Sequence, residues 1–246
     1  MRNAESWRPT KCVWDKSANR FVPRRGGVSL GSLFSANLAM EHYAPLIKAF
    51  SQGALLDCGC GTCPYYEMYK NQVTSVTCTD WPQSGHTARY VDTVADLNAA
   101  LPFAAEVFDS VLLTDVLEHI AEPRQLMFEI ARVLKPGAHV MIATPFFYWL
   151  HEEPHDYLRF TEHALRRYCA DAGMTVVHLS RYGGLPDVFL DLINKGIARW
   201  SRLSRFFAAA ANTLSRTSIH RKLRQRTEAS FPLGYFTVAR KPLDMA

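Results

Sequence analysis

Leu55-Leu56-Asp57-Cys58-Gly59-Cys60-Gly61-Thr62 carries a short apolar run into a glycine-rich turn. Glycine lets backbone approach a ligand closely, and the carboxylate ahead of it can hold a polar or cationic group. The next run, Val73 to Thr79, stops at Asp80, where a carboxylate can accept both hydroxyls of a ribose. Asp96-Leu97 follows, and the run from Phe108 to Thr114 delivers Asp115-Val116-Leu117-Glu118-His119. A neutral His119 at that rim can take a proton from a hydroxyl under attack. Beyond Ala138 to Thr144 comes the segment Phe146 to Arg159, rich in aromatic and polar residues. Phe147, Tyr148, His151, Tyr157 and Arg159 are read as an acceptor pocket, and His155 and Asp156 join His119 as catalytic candidates. The plainer alternative is a structural loop whose aromatics complete the core.

Two metal patterns overlap these residues. Cys58-x-Cys60-x-x-Cys63, with Cys78, has soft ligands that suit zinc or an iron–sulfur cluster. The same positions already form the glycine turn, and buried Cys is an ordinary small core filler. His151-Glu152-Glu153-Pro154-His155 matches H-E-x-x-H, which works only when both His project from one helical face. Pro154 removes a backbone donor and clashes with the preceding turn, so the zinc-protease reading fails. No metal is expected.

The elements that must position these groups follow from periodicity. Leu30 to Phe50 repeats apolar residues at spacings of three and four, as does Leu117 to Leu134 before Lys135-Pro136-Gly137, a helix stop. Thr161 is a candidate N-cap for a helix reaching Ala172, with Gly173 beyond it and a strand from Thr175 to Leu179. The stretch 187–227 reads as helical throughout, and Phe231 to Ala239 alternates as a last strand. Short apolar strands alternating with helices indicate a mostly parallel sheet covered on both faces, with chemistry at the C-terminal strand ends.

From Leu55 to Gly173 the order LLDCGCGT, TD, DL with LPF, FDSV, VLEH and RVLKPG resembles the class I S-adenosylmethionine-dependent methyltransferases of the type 11 group. The resemblance implies an α/β, doubly wound, Rossmann-like seven-stranded sheet with its last strand antiparallel and a helical insertion before it. It implies S-adenosylmethionine as cofactor, with Asp57, Gly59 and Gly61 at the methionine portion, Asp80 at the ribose, and Asp96 with Leu97 at the adenine. Asp115 is grouped with them. Cys63 departs from the family, which has a third glycine there; a Cβ at positive φ costs about 1 kcal/mol, too little to abolish binding. Asp115, Glu118 and His119 also resemble an acidic-His metal motif of ubiquinone-pathway O-methyltransferases.

Charge then separates the chain into parts. The 246 residues carry 28 Lys/Arg against 23 Asp/Glu, a net +5. Residues 1–25 hold seven Lys/Arg against Glu5 and Asp15, 26–194 hold ten against nineteen acids, and 195–228 hold nine against Glu228 alone. An acidic body between basic flanks excludes a uniformly basic surface. The expected organisation is a basic arm (1–28), a cofactor-binding core (29–186), a basic helical insertion (187–228), and a final strand and tail (229–246). Ile193, Ile197, Trp200, Leu203, Phe207, Ala210 and Leu214 make an apolar stripe among arginines. Such a stripe in 193–226 either packs on the body or meets an anionic membrane surface. No apolar h-region follows Met1 and no apolar run spans a bilayer, which points to a cytoplasmic protein with reduced cysteines, peripheral to a membrane at most. The sequence reading is therefore a methyltransferase acting on a small-molecule, glycan or lipid-linked acceptor, with O-methylation of a sugar-type hydroxyl preferred. Alternatives are a quinone or lipid acceptor, a transfer RNA, or a non-catalytic cofactor-binding module; no nucleic-acid-binding module is recognised.

Overall fold

The computed structural model describes residues 1–82 and 88–243. The tail residues 244–246, part of the expected 229–246 unit, lie outside them. A two-stranded antiparallel hairpin, β1 (Cys12–Asp15) and β2 (Arg20–Pro23), precedes helix α1 (Leu33–Phe50). Then come β3 (Gly53–Cys58), the single turn α2 (Tyr66–Tyr69), β4 (Val73–Asp80), β5 (Thr93–Val94) and β6 (Phe108–Thr114). The chain continues with α3 (Pro123–Val133), β7 (Leu134–Pro145), α4 (Glu162–Asp171) and β8 (Thr175–Tyr182). Helices α5 (Leu185–Gly196), α6 (Ser201–Leu214) and α7 (Ser218–Thr227) lead to β9 (Gly234–Arg240).

Seven strands form one sheet in the order β5-β4-β3-β6-β7-β9-β8. The pairs from β5 to β7 are parallel, and β9 lies antiparallel between β7 and β8. Order reverses at β3, flanked by β4 on one side and β6 on the other, which opens a crevice at its C-terminal end. Alternation along β3 divides the core. Leu56 faces the layer built by Leu126, Met127, Ile130 and Val133 of α3, and Leu55 faces Met40, Tyr43 and Ile47 of α1. Each of those α3 side chains is fully buried. At about 1.5–3 kcal/mol per large apolar side chain, that stripe holds α3 on the sheet despite its short length.

Several elements differ from the periodicity. The run Leu117 to Leu134 is not one helix: a 3-10 turn covers Leu117–His119, and α3 starts afresh at Pro123. Proline pushes its predecessor out of the helical region, and Glu122 accordingly sits at φ −117, ψ 64. Lys135-Pro136-Gly137 lies inside β7 rather than before it. The stretch 187–227 is three helices, the last begun by Thr217, whose hydroxyl accepts from the His220 amide. Residues 1–28 pack on the core, with Trp7 and Cys12 buried.

The three helices are fastened through polar groups. Asp187, fully buried, accepts from His220 Nε2 at 2.9 Å, from Arg224 Nε and Nη2 at 2.7 Å each, and from the Gly184 amide. Asn194 donates to the carbonyls of Leu30 and Gly31. Their outward faces expose Phe189, Leu192, Trp200, Leu203, Phe206, Ile219 and Leu223.

His42 on α1 meets the Ser180 hydroxyl at 2.8 Å and packs beside Tyr182. Burial, with His178 nearby, pushes its pKa from 6.5 down to about 4. The unfolded chain therefore binds a proton there that the folded chain refuses, and stability is lost as pH falls from 6.5 toward 4, at up to about 1.4 kcal/mol per pH unit. In urea titrations across that range, His42→Gln is expected to show a shallower loss than the parent; equal slopes would reject the assignment.

Candidate active site

The crevice at the end of β3 is a cleft of about 440 Å3 lined by Asp57, Gly59, Gly61, Asp80, Asp96, Leu97 and Asp115, together with His119 and His155. All seven positions that the sequence groups around a cofactor thus meet in one place. The turn after β3 is shaped by its backbone. Gly59 has φ +74, and a Cβ there would lie 2.6 Å from Val116 Cγ2, so a side chain is excluded on both counts. The Gly59 and Cys60 amides both donate to the Thr79 carbonyl at 2.9 Å, and the Gly61 amide donates to Asp80 Oδ2 at 3.1 Å. The turn is thereby bound to the end of β4. Cys63 holds φ +52, a left-handed conformation that glycine adopts without strain.

The carboxylates differ in setting. Asp57 is buried and accepts from the Tyr69 hydroxyl at 2.6 Å. Burial, reinforced by Cys78 and Asp80, holds its carboxyl well above the usual carboxylate range despite that bond. A cationic group in the cleft offsets this cost. Asp80 accepts from the amides of Gly61 and Trp81 through different oxygens, leaving further lone pairs toward the cleft. Asp96 Oδ1 accepts from the Asn98 amide at 2.9 Å, which fixes the turn carrying Leu97. Asp115, at φ +54, accepts from the hydroxyls of Tyr65 at 3.1 Å and Tyr43 at 3.3 Å.

Past β6 the turn presents His119. Its Nδ1 lies 2.7 Å from the His155 carbonyl oxygen. A carbonyl cannot donate, so Nδ1 carries the hydrogen and Nε2 of the neutral ring is left as an acceptor. Glu118 is fully buried, and neither carboxylate oxygen has a hydrogen-bond partner among the described residues. Burial, with Asp115 close by, holds its carboxyl well above the usual range. Glu118, His119 and His151 bring one oxygen and two ring nitrogens within 4.8 Å of one another, a donor set that suits a divalent transition cation. Asp115 is not part of that group.

The loop after β7 is arranged differently from the sequence reading. Glu152, Glu153 and His155 line the cleft, and the His155 ring meets Trp81 edge-on at 4.9 Å. None of the five residues expected in an acceptor pocket lines it. Phe147 stacks on Phe231, and Tyr148 bonds to the Ser32 hydroxyl beneath Lys195 Nζ, 4.1 Å from its ring centre. Tyr157 bonds to His155, and His151 lies against His119 with ring centres 4.7 Å apart. Arg159 grips both oxygens of Asp156, at 2.6 and 2.7 Å. Asp156, expected at the reacting centre, is instead an internal clamp. Burial opposes its charge, but Arg159 and the His151 amide prevail and hold its pKa at about 2. Residues 151–160 contain no helix, so the H-E-x-x-H pattern has no common face.

Sequence reading missed Lys11, Tyr65, Trp81, Glu152 and Glu153 as cleft residues. Trp81 carried a usable signal, an aromatic directly after the strand-end carboxylate. Lys11 carried none.

Residues 56–142 match a family described as a methyltransferase domain. This stretch is a methyltransferase domain, and the chain is an S-adenosylmethionine-dependent methyltransferase. This methyltransferase is 26% identical over 181 residues to the ubiquinone biosynthesis O-methyltransferase of Parvibaculum lavamentivorans, covering 62% of this chain and 71% of that protein. It is 38% identical over 53 residues to the demethylmenaquinone methyltransferase of Renibacterium salmoninarum, 22% of each chain. The methyltransferase shares its fold with the S-adenosylmethionine-dependent methyltransferase of Mesorhizobium loti, with a TM-score of 0.51 and 14% identity over 80% of this chain and 96% of that one. S-adenosylmethionine is its cofactor.

Proposed function

We propose that this methyltransferase O-methylates a hydroxyl of an amphipathic, lipid-linked acceptor, with a phenolic quinone-type ring preferred over a sugar. The observation that carries O-methylation is His119, whose Nε2 is left as an acceptor at the cleft. Asp80 would hold the ribose, Asp96 and Leu97 the adenine side, and Asp57 with the Gly59–Gly61 turn the cationic methionine portion. S-adenosylmethionine held there would supply an electrophilic methyl group with a thioether as leaving group, and His119 would take the hydroxyl proton of the acceptor as its oxygen becomes methylated. His155 and Trp81, edge-on to one another, line the same cleft. The preference for a ring acceptor rests on the two relatives, one named for ubiquinone biosynthesis and the other for demethylmenaquinone.

Turnover with S-adenosylmethionine labelled in its methyl group tests this, using phenolic quinone precursors, lipid-linked glycans and transfer RNA as separate acceptors. Label is expected in the phenol; label in glycan or RNA alone would replace the reading.

The exposed apolar residues of α5–α7 sit among Arg199, Arg202, Arg205, Arg221 and Lys222, which gives a lipid-linked acceptor a surface to arrive from. No helix among the described residues is long and apolar enough to cross a membrane. Sedimentation with vesicles containing phosphatidylglycerol is expected to fall at least about fivefold in a Phe206→Glu, Ile219→Glu variant and on raising salt. Equal recovery on purely zwitterionic vesicles would count against it.

A further inference from the structure

The thiols of Cys60, Cys63 and Cys78 take no part in the chemistry above, although Cys60 belongs to the turn that lines the cleft, and three separate positions bring their sulfurs within 4.8 Å of one another. Cys63 and Cys78 Sγ are 3.6 Å apart. All three residues are buried, and Trp7, Tyr90 and Val91 enclose them. Cys58, the first member of the sequence pattern, packs in a different part of the core. No fourth His, Cys, Asp or Glu atom joins the three within that radius among the described residues.

We propose that Cys60, Cys63 and Cys78 form a three-sulfur site for a soft, thiophilic cation, Cu(I). A metal–sulfur bond of about 2.3 Å puts the sulfurs of a trigonal site roughly 4 Å apart, so the observed spacing needs only small side-chain shifts. Sulfur ligands select soft cations, and three thiols with no fourth ligand atom beside them among the described residues suit a low coordination number better than tetrahedral zinc. The backbone adds an independent reason. Cys63 holds φ +52, a left-handed conformation that glycine adopts freely and that strains a residue with a Cβ. A thiol kept at that cost reaches the cluster, whereas glycine would relieve the strain and leave the cluster with two sulfurs. A bound cation would tie the glycine turn, through Cys60 and Cys63, to β4 two residues before Asp80. Trp7, whose indole donates to the Cys63 carbonyl at 3.3 Å, would close the site from outside.

The test titrates the reduced full-length protein with Cu(I) against a chromogenic chelator, and separately with Zn(II). One equivalent of Cu(I) is expected to bind, with affinity falling at least 100-fold in Cys63→Gly and in Cys78→Ser and unchanged in Cys58→Ser. Cys63→Gly suits the local backbone, and its thermal melting and S-adenosylmethionine binding verify that the turn survives. Absence of stoichiometric Cu(I) binding, parental affinity in Cys63→Gly, or tighter retention of Zn(II) than Cu(I) would each overturn the proposal.

Discussion

Asp80→Ala is expected to weaken S-adenosylmethionine binding by at least about 100-fold, the largest effect of any single cleft side chain. Asp80 ends β4 with its two oxygens already drawing in the amides of Gly61 and Trp81, so its remaining lone pairs are fixed in direction before a ligand arrives. If Asp80 binds the ribose as proposed, two charge-assisted bonds to its hydroxyls, at about 1.5–3 kcal/mol each, would exceed the 2.7 kcal/mol that a 100-fold change represents. The substitution also frees the Gly61 amide and loosens the turn that Asp80 holds. Asp80→Asn keeps an acceptor for one amide and should fall between the two. Calorimetric titration of the cofactor measures all three, and an Asp80→Ala protein that binds within about threefold of the parent would remove Asp80 from the site.

His119→Ala is expected to lower kcat by about 10²–10⁴-fold while cofactor affinity changes by less than about threefold. The split between the two readouts is the point of the measurement. His119 is held by one hydrogen bond from Nδ1 to the His155 carbonyl, in a turn closed by its own backbone, so its truncation leaves the cofactor carboxylates in place. His119→Gln separates shape from proton transfer, since the amide fills similar space without serving as a base. Full turnover in either variant would transfer the proton-accepting role elsewhere, His155 being the next group at the cleft.

The convergence of the cleft carboxylates was readable because they sit at strand ends, and strand ends follow from apolar runs of limited length. Asp57, Asp80 and Asp115 each terminate or directly follow such a run, so a parallel sheet alone brings them to one edge. The acceptor side was not readable in the same way. Aromatics in the loop after β7 were expected to face the cleft because of their type, but a loop has no period to assign a face. Phe147 found Phe231 and Tyr148 found Ser32, partners 84 and 116 positions away whose proximity only the folded chain creates. Asp156 was misassigned for the opposite reason, a partner three residues away: Arg159 satisfies it locally. The orphaned burial of Glu118 has no sequence signature, since a single Glu beside a His looks the same in sequence whether exposed or enclosed.

The position of β9 bears on how the chain comes to be folded at all. Strands β3 to β7 find parallel partners among themselves within residues 53–145, so the cofactor-binding half can assemble from contiguous chain. Strand β8 cannot join it directly, because its neighbour in the sheet is β9, synthesised after all three helices of the insertion. Until residue 240 has emerged from the ribosome, β7 presents an open edge backed by Val140 and Ile142, side chains that are buried in the finished protein. That edge is where a nascent or truncated chain is most exposed to pairing with another copy, and the closing strand is what removes the hazard.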